Sequence, residues 1–184
     1  DVVDRQGQYL DRGGAGDGNG AEMVAKSPPD GSSMVLANSG PITINVSARK
    51  DLPYDPLKDL APVTQIIGAP MVLVVHPSLP VRSVKELIAL ARANPGKLNY
   101  ASAGIGNLQH LGMEHLQALA KVKMNHVPYK GAAPAFIDTL SGRIDLQFAN
   151  IVGVLPHVSN KRVRAIAISA ARGSSVLPDA PGVA

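Results

Sequence analysis

The chain has no cysteine and no tryptophan, and aromatic residues of all kinds make up only 3% of its 184 residues. Without cysteine it can form neither disulfide bonds nor thiolate metal sites. Its core must therefore be built from Val, Leu, Ile, Ala and Met, a composition typical of strands that helices cover on both faces. The absence of cysteine is also compatible with an oxidising compartment, where free thiols are a liability.

Long apolar runs are missing too. The longest, residues 66–75, is too short to span a bilayer and contains Gly68 and Pro70. No secretory signal pattern is visible, so export would depend on a signal that has been removed or lies outside this sequence.

The net charge is +4 and the basic residues are scattered. Nucleic-acid binding needs a basic stripe with stacking aromatics, and neither is visible, so we expect no nucleic-acid partner. The positive net charge instead favours anionic ligands through long-range attraction. His110 and His115 lie five residues apart on one predicted helix, whereas metal ligands on one helix face are typically four apart. We therefore predict no metal site and no cofactor.

From Val84 onward, predicted helices and strands alternate. Ser83 and Glu86 have the spacing of a capping box at the start of an amphipathic helix, which Asn94–Gly96 ends. Such an alternation with short connections is typical of a doubly wound parallel α/β fold. The later predicted strands are residues 98–101, 126–127, 144–148 and 163–168, with helices at 107–120, 132–140 and 151–158 between them.

The first part of the chain is less regular. Residues 1–20 are polar and glycine-rich, which predicts a loop, and residues 21–26 can form the first turns of a helix. Residues 33–37 are predicted as a strand that the turn-forming residues 38–41 close. Residues 60–76 are apolar and β-branched, which predicts two strands or one bent strand.

The best candidate site is the loop from Ser102 to Asn107. In an open parallel sheet, ligands bind at the carboxyl ends of strands, where loops lead into helices. Gly104 and Gly106 allow the backbone to approach a ligand, and the helix that follows presents free N–H groups. Together with the Ser102 hydroxyl, these groups can hold a carboxylate. The alternative is an ordinary strand-to-helix turn that needs its glycines for geometry alone.

Three other patterns allow alternative interpretations. Ser102 could act as a nucleophile with one of the histidines, but the G-x-S-x-G elbow is absent. Residues 16–21 match G-x-G-x-x-A, yet the strand before them and the acidic residue after the next strand are missing. Asn150 follows an apolar strand, so it either lines the same cleft as Ser102 or caps the next helix, and the two roles are compatible.

Several segments together resemble one family, the Bug-type receptors of tripartite tricarboxylate transporters, which are periplasmic solute-binding proteins of Gram-negative bacteria. The resemblance covers nearly everything after Gly14, in order and with matching spacing. The segments are Leu-Pro-Tyr-Asp-Pro (52–56), Lys-Asp-Leu-Ala-Pro-Val (58–63), Ser-Val-Lys-Glu-Leu-Ile (83–88), Asn-Pro-Gly-Lys-Leu-Asn-Tyr-Ala-Ser-Ala-Gly (94–104), His-Val-Pro-Tyr-Lys-Gly (126–131) and Leu-Pro-Asp-Ala-Pro (177–181).

The resemblance implies a type II periplasmic-binding-protein (Venus-flytrap) fold, with two doubly wound α/β lobes joined by strands near 72–77 and 163–168. Lobe one would comprise residues 1–75 and 166–184, and lobe two residues 76–165. The family's Arg-Pro-Gly-Ala-Gly-Gly motif appears only in a degenerate form at residues 12–17, and its first strand is not recognisable. Because family members also continue past Pro181, we expect lobe one to be incomplete in this chain.

The function implied by the resemblance is that of an extracytoplasmic receptor and not of an enzyme. It would capture a small carboxylic acid in the periplasm as a monomer and deliver it to membrane permease subunits. The acid could be a dicarboxylate, a tricarboxylate, an acidic amino acid or an aromatic carboxylate. A serine-dependent hydrolase using Ser102 and a sensory or partner-binding module on the same fold are the alternatives. The implied ligand-binding residues are Ser102, Ala103, Gly104, Gly106 and Asn107, the last as the helix cap, with Ser39, Asn150 and Tyr129 lining the cleft.

Overall fold

A computed structural model describes residues 18–171 and 174–182, together with the backbone of residues 2–3 and 9–10. The chain divides into two compact units. The first comprises Asp1–Ile66 and Gly104–Leu108, and the second comprises Ile67–Ala103 and Gln109–Ala184. The lobe boundaries after residues 75 and 165, which the family resemblance implies, remain a prediction.

A five-stranded sheet forms the centre of the second unit. Its strands are β4 (Met71–Val75), β5 (Asn99–Ser102), β6 (Asn125–Pro128), β7 (Leu146–Asn150) and β8 (Arg164–Ile168), in the order β6-β5-β7-β4-β8. Strand β5 pairs in parallel with β6 and β7, whereas β4 pairs antiparallel with both β7 and β8. The four strands after Val84 therefore run in one direction, as the sequence predicts, and β4 adds an antiparallel strand among them.

Four helices connect these strands: α3 (Val84–Ala93), α4 (Leu108–Ala120), α5 (Ala132–Leu140) and α6 (Ile151–Ser159). The predicted cap of α3 is present, because the Ser83 hydroxyl accepts a hydrogen bond from the Glu86 N–H at 3.2 Å. Glu86 in turn accepts from the Arg82 N–H at 2.6 Å, one residue before the capping serine. Local capping signals thus fix the start of this helix.

Aliphatic side chains fill the core on both faces of the sheet. On one face Leu73 and Leu146 pack with Leu87 of α3 and Met113 of α4. On the other face alternate strand residues pack with α6, for example Val72 with Val154. All five residues of β4 are buried, because the strand is covered on both faces. The core therefore has the composition that the scarcity of aromatics predicts.

The first unit contains shorter elements. Strands β1 (Val2–Val3), β2 (Tyr9–Leu10) and β3 (Met34–Val35) pair antiparallel in the order β2-β1-β3. Helix α1 spans Gly18–Ala25, and a π-helical turn at Gly40–Ile44 leads into α2 (Asn45–Ala48).

Three predictions for this unit need correction. Residues 1–20 are not all loop, because β1, β2 and the start of α1 lie among them; the rest of that range, including the first two residues of the G-x-G-x-x-A match, lies outside the described residues. The strand predicted at 33–37 spans only Met34–Val35. Residues 38–41 do not simply form a turn, because Pro41 lies in the first turn of a helical segment, where its fixed φ is favourable.

The prediction for residues 60–76 is confirmed only in its second half. Met71–Val75 form β4, whereas residues 61–69 are exposed and belong to no regular element. Val63 and Ile66 are 84% and 73% exposed. A β-branched composition favours a strand only where a neighbouring strand can pair with it, and no such pairing occurs here within the part of the chain that the structure describes.

Candidate functional site

The predicted binding loop connects the end of β5 to the start of α4. Ser102 is the last residue of β5, and Asn107 directly precedes α4 at its N-cap position. Gly104 and Gly106 have positive φ values of 147° and 82°. Residues with a Cβ rarely adopt such values, so this backbone path requires glycine at both positions.

The hydroxyl of Ser102 has a partner in the protein. Ser102 is fully buried, and its Oγ lies 2.7 Å from Nε2 of His126 on the adjacent strand β6. Its carbonyl oxygen accepts a hydrogen bond from the Tyr129 N–H at 2.9 Å. Ser102 therefore ties the beginning of the loop to β6, and its contact with a ligand remains a prediction.

His126 lies between two other rings. Tyr100 stacks on it with a centroid distance of 4.8 Å, and His110 stacks on it at 4.2 Å. Burial lowers the pKa of His126, the neighbouring His110 lowers it further, and Glu114 acts in the opposite direction. The lowered pKa favours the neutral imidazole, which can accept the O–H of Ser102.

A second polar network begins on the other side of Tyr100. The Tyr100 hydroxyl donates to the Glu114 carboxylate, which also accepts from Gln117 Nε2 at 2.9 Å. Gln117 Oε1 accepts from the Met124 N–H at 2.5 Å. Burial, followed by the Glu114 carboxylate, raises the pKa of Tyr100 well above its ordinary value. These bonds hold α4 against β5 and against the chain that leads into β6.

The backbone of Ala103 is engaged within the second unit. Its N–H donates to Oε1 of Gln109 at 2.7 Å, and its carbonyl accepts from the Gly131 N–H at 3.1 Å. Gln109 is only 8% exposed. The Ala103 N–H, which the sequence suggested as a carboxylate donor, is thus occupied by a helix side chain.

The other predicted site residues of the second unit lie at the same edge of the sheet as Ser102. Tyr129 follows β6, and its hydroxyl donates to Asp138 of α5 at 2.7 Å. Burial, and then the Asp138 carboxylate, raises the pKa of Tyr129. Asn150 ends β7 and is the exposed N-cap residue of α6, but its side chain makes no capping hydrogen bond. Ser39, in the first unit, is exposed and precedes the π-helical turn.

Sequence reasoning missed His126, His110, Glu114 and Gln109. The sequence links His110 only to His115, and no local motif points to Glu114 or Gln109. The signal that could have identified His126 is its position on a strand expected to lie beside the strand of Ser102.

Within the first unit, the side chain of Asn45 lies beside the loop glycine Gly106. Asn45 is 4% exposed, and its side chain also interacts with the hydroxyl of Tyr54. A Cβ added at Gly18, the first residue of α1, would lie 3.5 Å from Nδ2, and one added at Gly106 would lie 3.8 Å from Oδ1. The amide group is therefore flanked by two positions that carry no side chain.

Two kinds of feature are absent from the described residues. They contain no group of three or more His, Asp or Glu side chains that could hold a metal ion. None of their helices is long and apolar enough to cross a membrane.

A mixed α/β sheet covered by helices, with loops at the strand ends, is the architecture of periplasmic binding proteins of known structure. BugD, a periplasmic binding protein, superposes with a TM-score of 0.86 at 31% identity, over 92% of this chain and 56% of its own. MatC from Rhodopseudomonas palustris with bound malate superposes with a TM-score of 0.85 at 30% identity, over 92% of this chain and 57% of its own. An R. palustris protein with adipate superposes with a TM-score of 0.85 at 33% identity, over 90% of this chain and 56% of its own.

Residues 9–184 match the sequence model of the tripartite tricarboxylate transporter family receptor, and the chain belongs to this family. Protein BugT of Bordetella pertussis is 36% identical over 174 residues, which are 94% of this chain and 53% of BugT. The chain thus spans about half the length of the curated relatives it matches. The family resemblance and the fold class predicted from the sequence are confirmed.

Proposed function

We propose that this protein is a periplasmic receptor that binds a small carboxylic acid for a transporter of the tripartite tricarboxylate type. The observation that carries the proposal is the loop from Ser102 to Asn107, where two glycines with positive φ lead directly into the 13-residue helix α4. The first turn of such a helix carries the positive end of the helix dipole, which attracts a carboxylate.

Each residue of the loop has a proposed role. The backbone at Gly104 and Gly106 approaches the acid closely, and Asn107 caps the helix behind it. Ser102 and Ala103 contribute indirectly, because their bonds to His126 and Gln109 hold the beginning of the loop in place. Ser39, Asn150 and Tyr129 remain proposed contributors to selectivity.

The family and its solved members support the class of ligand. Malate and adipate, the acids in two of the similar structures, are both dicarboxylates. We therefore place dicarboxylates first among the candidate ligands, ahead of tricarboxylates, acidic amino acids and aromatic carboxylates. By the same argument from the family, ligand binding would favour a closed form through a hinge motion, and that form would dock on the permease subunits.

A serine hydrolase is the second candidate, because Ser102 and His126 are within hydrogen-bond distance. Two observations weigh against it. Ser102 is 0% exposed, so a substrate cannot reach its hydroxyl in this structure. It also lies at the end of a strand that lacks the G-x-S-x-G elbow. The hydrolase predicts turnover of p-nitrophenyl acetate that Ser102→Ala abolishes, whereas the receptor predicts no turnover above the rate in buffer.

The first test is a thermal-shift screen of the purified full-length protein against malate, adipate, citrate, glutamate and benzoate, with malamide and adipamide as uncharged controls. A ligand that binds the native state raises the melting temperature by mass action. We expect one or two acids to raise it and the amides to have no effect. If no acid shifts the melting temperature and ester turnover depends on Ser102, the receptor proposal is wrong.

A matched pair of glycine variants tests the loop itself. Gly106 and Gly96 have similar φ values, 82° and 69°, but Gly96 lies in the turn after α3. Alanine at either position introduces backbone strain of about 1–2 kcal/mol, so both variants should lose similar stability. Isothermal titration with the selected acid should show binding weakened by at least about tenfold in Gly106→Ala only. Equal affinities in the two variants would place the site elsewhere.

A further inference from the structure

Basic residues that are scattered along the sequence meet at one edge of the five-stranded sheet. Strands β5, β6, β7 and β8 run in one direction, so the connections that lead into them lie at the same edge. These connections are residues 94–98, 121–124, 141–145 and 160–163, and each contains a basic residue. We call the six basic residues in them the basic edge: Lys97, Lys121, Lys123, Arg143, Lys161 and Arg162.

The basic edge is exposed and continuous. All six of its residues are exposed. Hydrogen bonds hold neighbouring connections side by side, because the Gly96 N–H donates to the Lys123 carbonyl at 2.8 Å and the Asn99 N–H donates to Asp145 Oδ2 at 2.7 Å. Adjacent strands in a sheet are about 4.8 Å apart, so the basic edge is roughly 20 Å wide from β6 to β8.

The acidic side chains near the basic edge already have partners. Asp138 pairs with Arg143 at 3.2 Å. Asp145 is half-buried and accepts the Asn99 N–H, and Glu114 accepts from Tyr100 and Gln117. Among the described residues, the other five cations of the basic edge have no acidic side chain within ion-pair distance.

The ends of helices α3 to α6 lie at the same edge and account for part of the charge. Each helix end carries about half a negative charge, which makes about two for the four helices. The end of α4 has a partner of its own, because Arg92 Nη2 donates to the Ala120 carbonyl at 2.9 Å. The five cations without an ion pair therefore exceed what the helix dipoles require.

The composition of the four connections favours a lipid surface as the partner. They contain no aromatic residue that could stack on a nucleic-acid base. None of the large apolar side chains that are exposed in the described part of the chain lies in them, although the centre of a protein interface is usually apolar. Lysine, on its flexible stem, is a mobile point charge that suits a diffuse array of anions better than one fixed geometry.

We propose that the basic edge adsorbs the second unit electrostatically on a bilayer that carries anionic phospholipid headgroups. Several lysines contact such a surface at once, and each basic residue near it strengthens binding about fivefold. Ser102 and Asn150 end strands at the opposite edge of the sheet, so that edge would face away from the bilayer. The inference goes beyond the proposed receptor function and does not depend on which acid the protein binds.

Flotation of the purified full-length protein with lipid vesicles tests the proposal. At about 0.05 M NaCl we expect binding to vesicles of equal parts phosphatidylglycerol and phosphatidylcholine, and none to vesicles of phosphatidylcholine alone. Salt screens the attraction between exposed charges, so about 0.5 M NaCl should release the protein. Equal binding to both kinds of vesicle, or binding that survives the higher salt concentration, would contradict the proposal.

A quadruple variant removes charge from the basic edge and keeps the backbone unstrained. Lys121 and Lys161 have positive φ values of 52° and 55°, which asparagine tolerates better than most residues. The variant therefore combines Lys121→Asn and Lys161→Asn with Lys97→Gln and Lys123→Gln. At about fivefold for each residue, it should bind the anionic vesicles at least about 100-fold more weakly than wild type.

The matched control removes the same number of charges from other parts of the chain. Three of its positions lie in the first unit, and the fourth follows β6 at the opposite edge of the sheet. Its changes are Lys26→Gln, Lys50→Gln, Lys58→Gln and Lys130→Gln. We expect the control to bind less than about tenfold more weakly than wild type. Melting curves check that both variants fold, which exposed positions should permit.

The remaining outcomes are distinct. Equal losses in the two quadruple variants would show that net charge, and not the basic edge, determines binding, and the inference would be wrong. Failure to bind the anionic vesicles at low salt, together with salt-sensitive binding to polyglutamate, would identify an acidic polypeptide as the partner and also overturn it. A wild type that binds the vesicles but none of the carboxylic acids would refute the receptor function and leave this inference standing.

Discussion

The two units of the molecule differ in how completely their apolar side chains are buried. In the second unit, every residue of β4 is buried, and aliphatic clusters cover both faces of the sheet. In the first unit, among residues 18–66, only Ala21 and Tyr54 are buried hydrophobic residues. Large apolar side chains there are instead exposed: Met34 54%, Leu36 51%, Leu57 89%, Val63 84% and Ile66 73%.

The arrangement of the aliphatic residues, and not the composition of the two units, causes this difference in burial. Both units draw on the same aliphatic residue types, but only the second arranges them on a sheet that helices cover. Buried apolar area provides the main free energy that offsets the loss of chain entropy on folding. We therefore expect the second unit to carry most of the measurable folding stability of this chain, and the first unit to open at lower free energy.

Truncating one leucine in each unit gives the largest expected difference. Leu73 in β4 is 1% exposed, whereas Leu57 in the first unit is 89% exposed. Leu73→Ala removes buried methyl groups and leaves a cavity, so it should lower the free energy of unfolding by about 2–5 kcal/mol. Leu57→Ala should change it by less than about 0.5 kcal/mol. Urea unfolding followed by circular dichroism measures both, and equal losses would show that the first unit is as well packed as the second.

A pair of tyrosine variants sharpens the comparison at the level of single hydrogen bonds. Tyr54 in the first unit donates to a neutral carbonyl, whereas Tyr129 in the second donates to the Asp138 carboxylate. Bonds to charged groups contribute more, so Tyr129→Phe should cost about 1.5–3 kcal/mol and Tyr54→Phe about 1 kcal/mol. The same urea titration reports both values. A larger loss for Tyr54→Phe would mean that the first unit depends on this contact more than its limited burial suggests.

Local signals in the sequence predicted the helices of the second unit well. Ser83 and Glu86 identified the start of α3, and the predicted helix at 132–140 coincides with α5. The parallel direction of the strands after Val84 followed from the short connections through helices. Each of these features is encoded within a few residues, by capping groups, by 3.6-residue periodicity or by loop length.

Features that depend on distant residues could not be predicted in the same way. The pairing of Ser102 with His126 follows from the register of β5 and β6, in which Tyr100 is opposite His126 and Ser102 is opposite Pro128. No local pattern encodes that register. The opposite error occurs at residues 61–69. Their composition favours a strand, but among the described residues no neighbouring strand pairs with them.

The smallest expected effect concerns pH, and it should be confined to the second unit, which contains all five histidines of the chain. Burial and His110 lower the pKa of His126 below its ordinary value of 6.5 in the folded protein. The unfolded chain therefore takes up a proton first as the pH falls. The contribution of His126 to stability is complete above about pH 6.5 and is lost as the pH falls through the lowered folded-state pKa.

Urea titrations at pH 7.5, 6.5, 5.5 and 5.0 measure this contribution by comparing the wild type with His126→Gln, whose amide can still bond to Ser102. Within the part of the chain that the structure describes, the groups that face His126 are Ser102, Tyr100, His110 and Glu114. Since His110 is the second cause of the lowered pKa, His110→Asn should remove part of the difference. The wild type should lose more stability than His126→Gln between pH 6.5 and 5.0, because only the wild type must hold a buried imidazole that resists protonation. Parallel pH profiles for the two proteins would show that acid acts elsewhere, on the carboxylates, and that the stacked histidines do not couple the loop from Ser102 to Asn107 to pH.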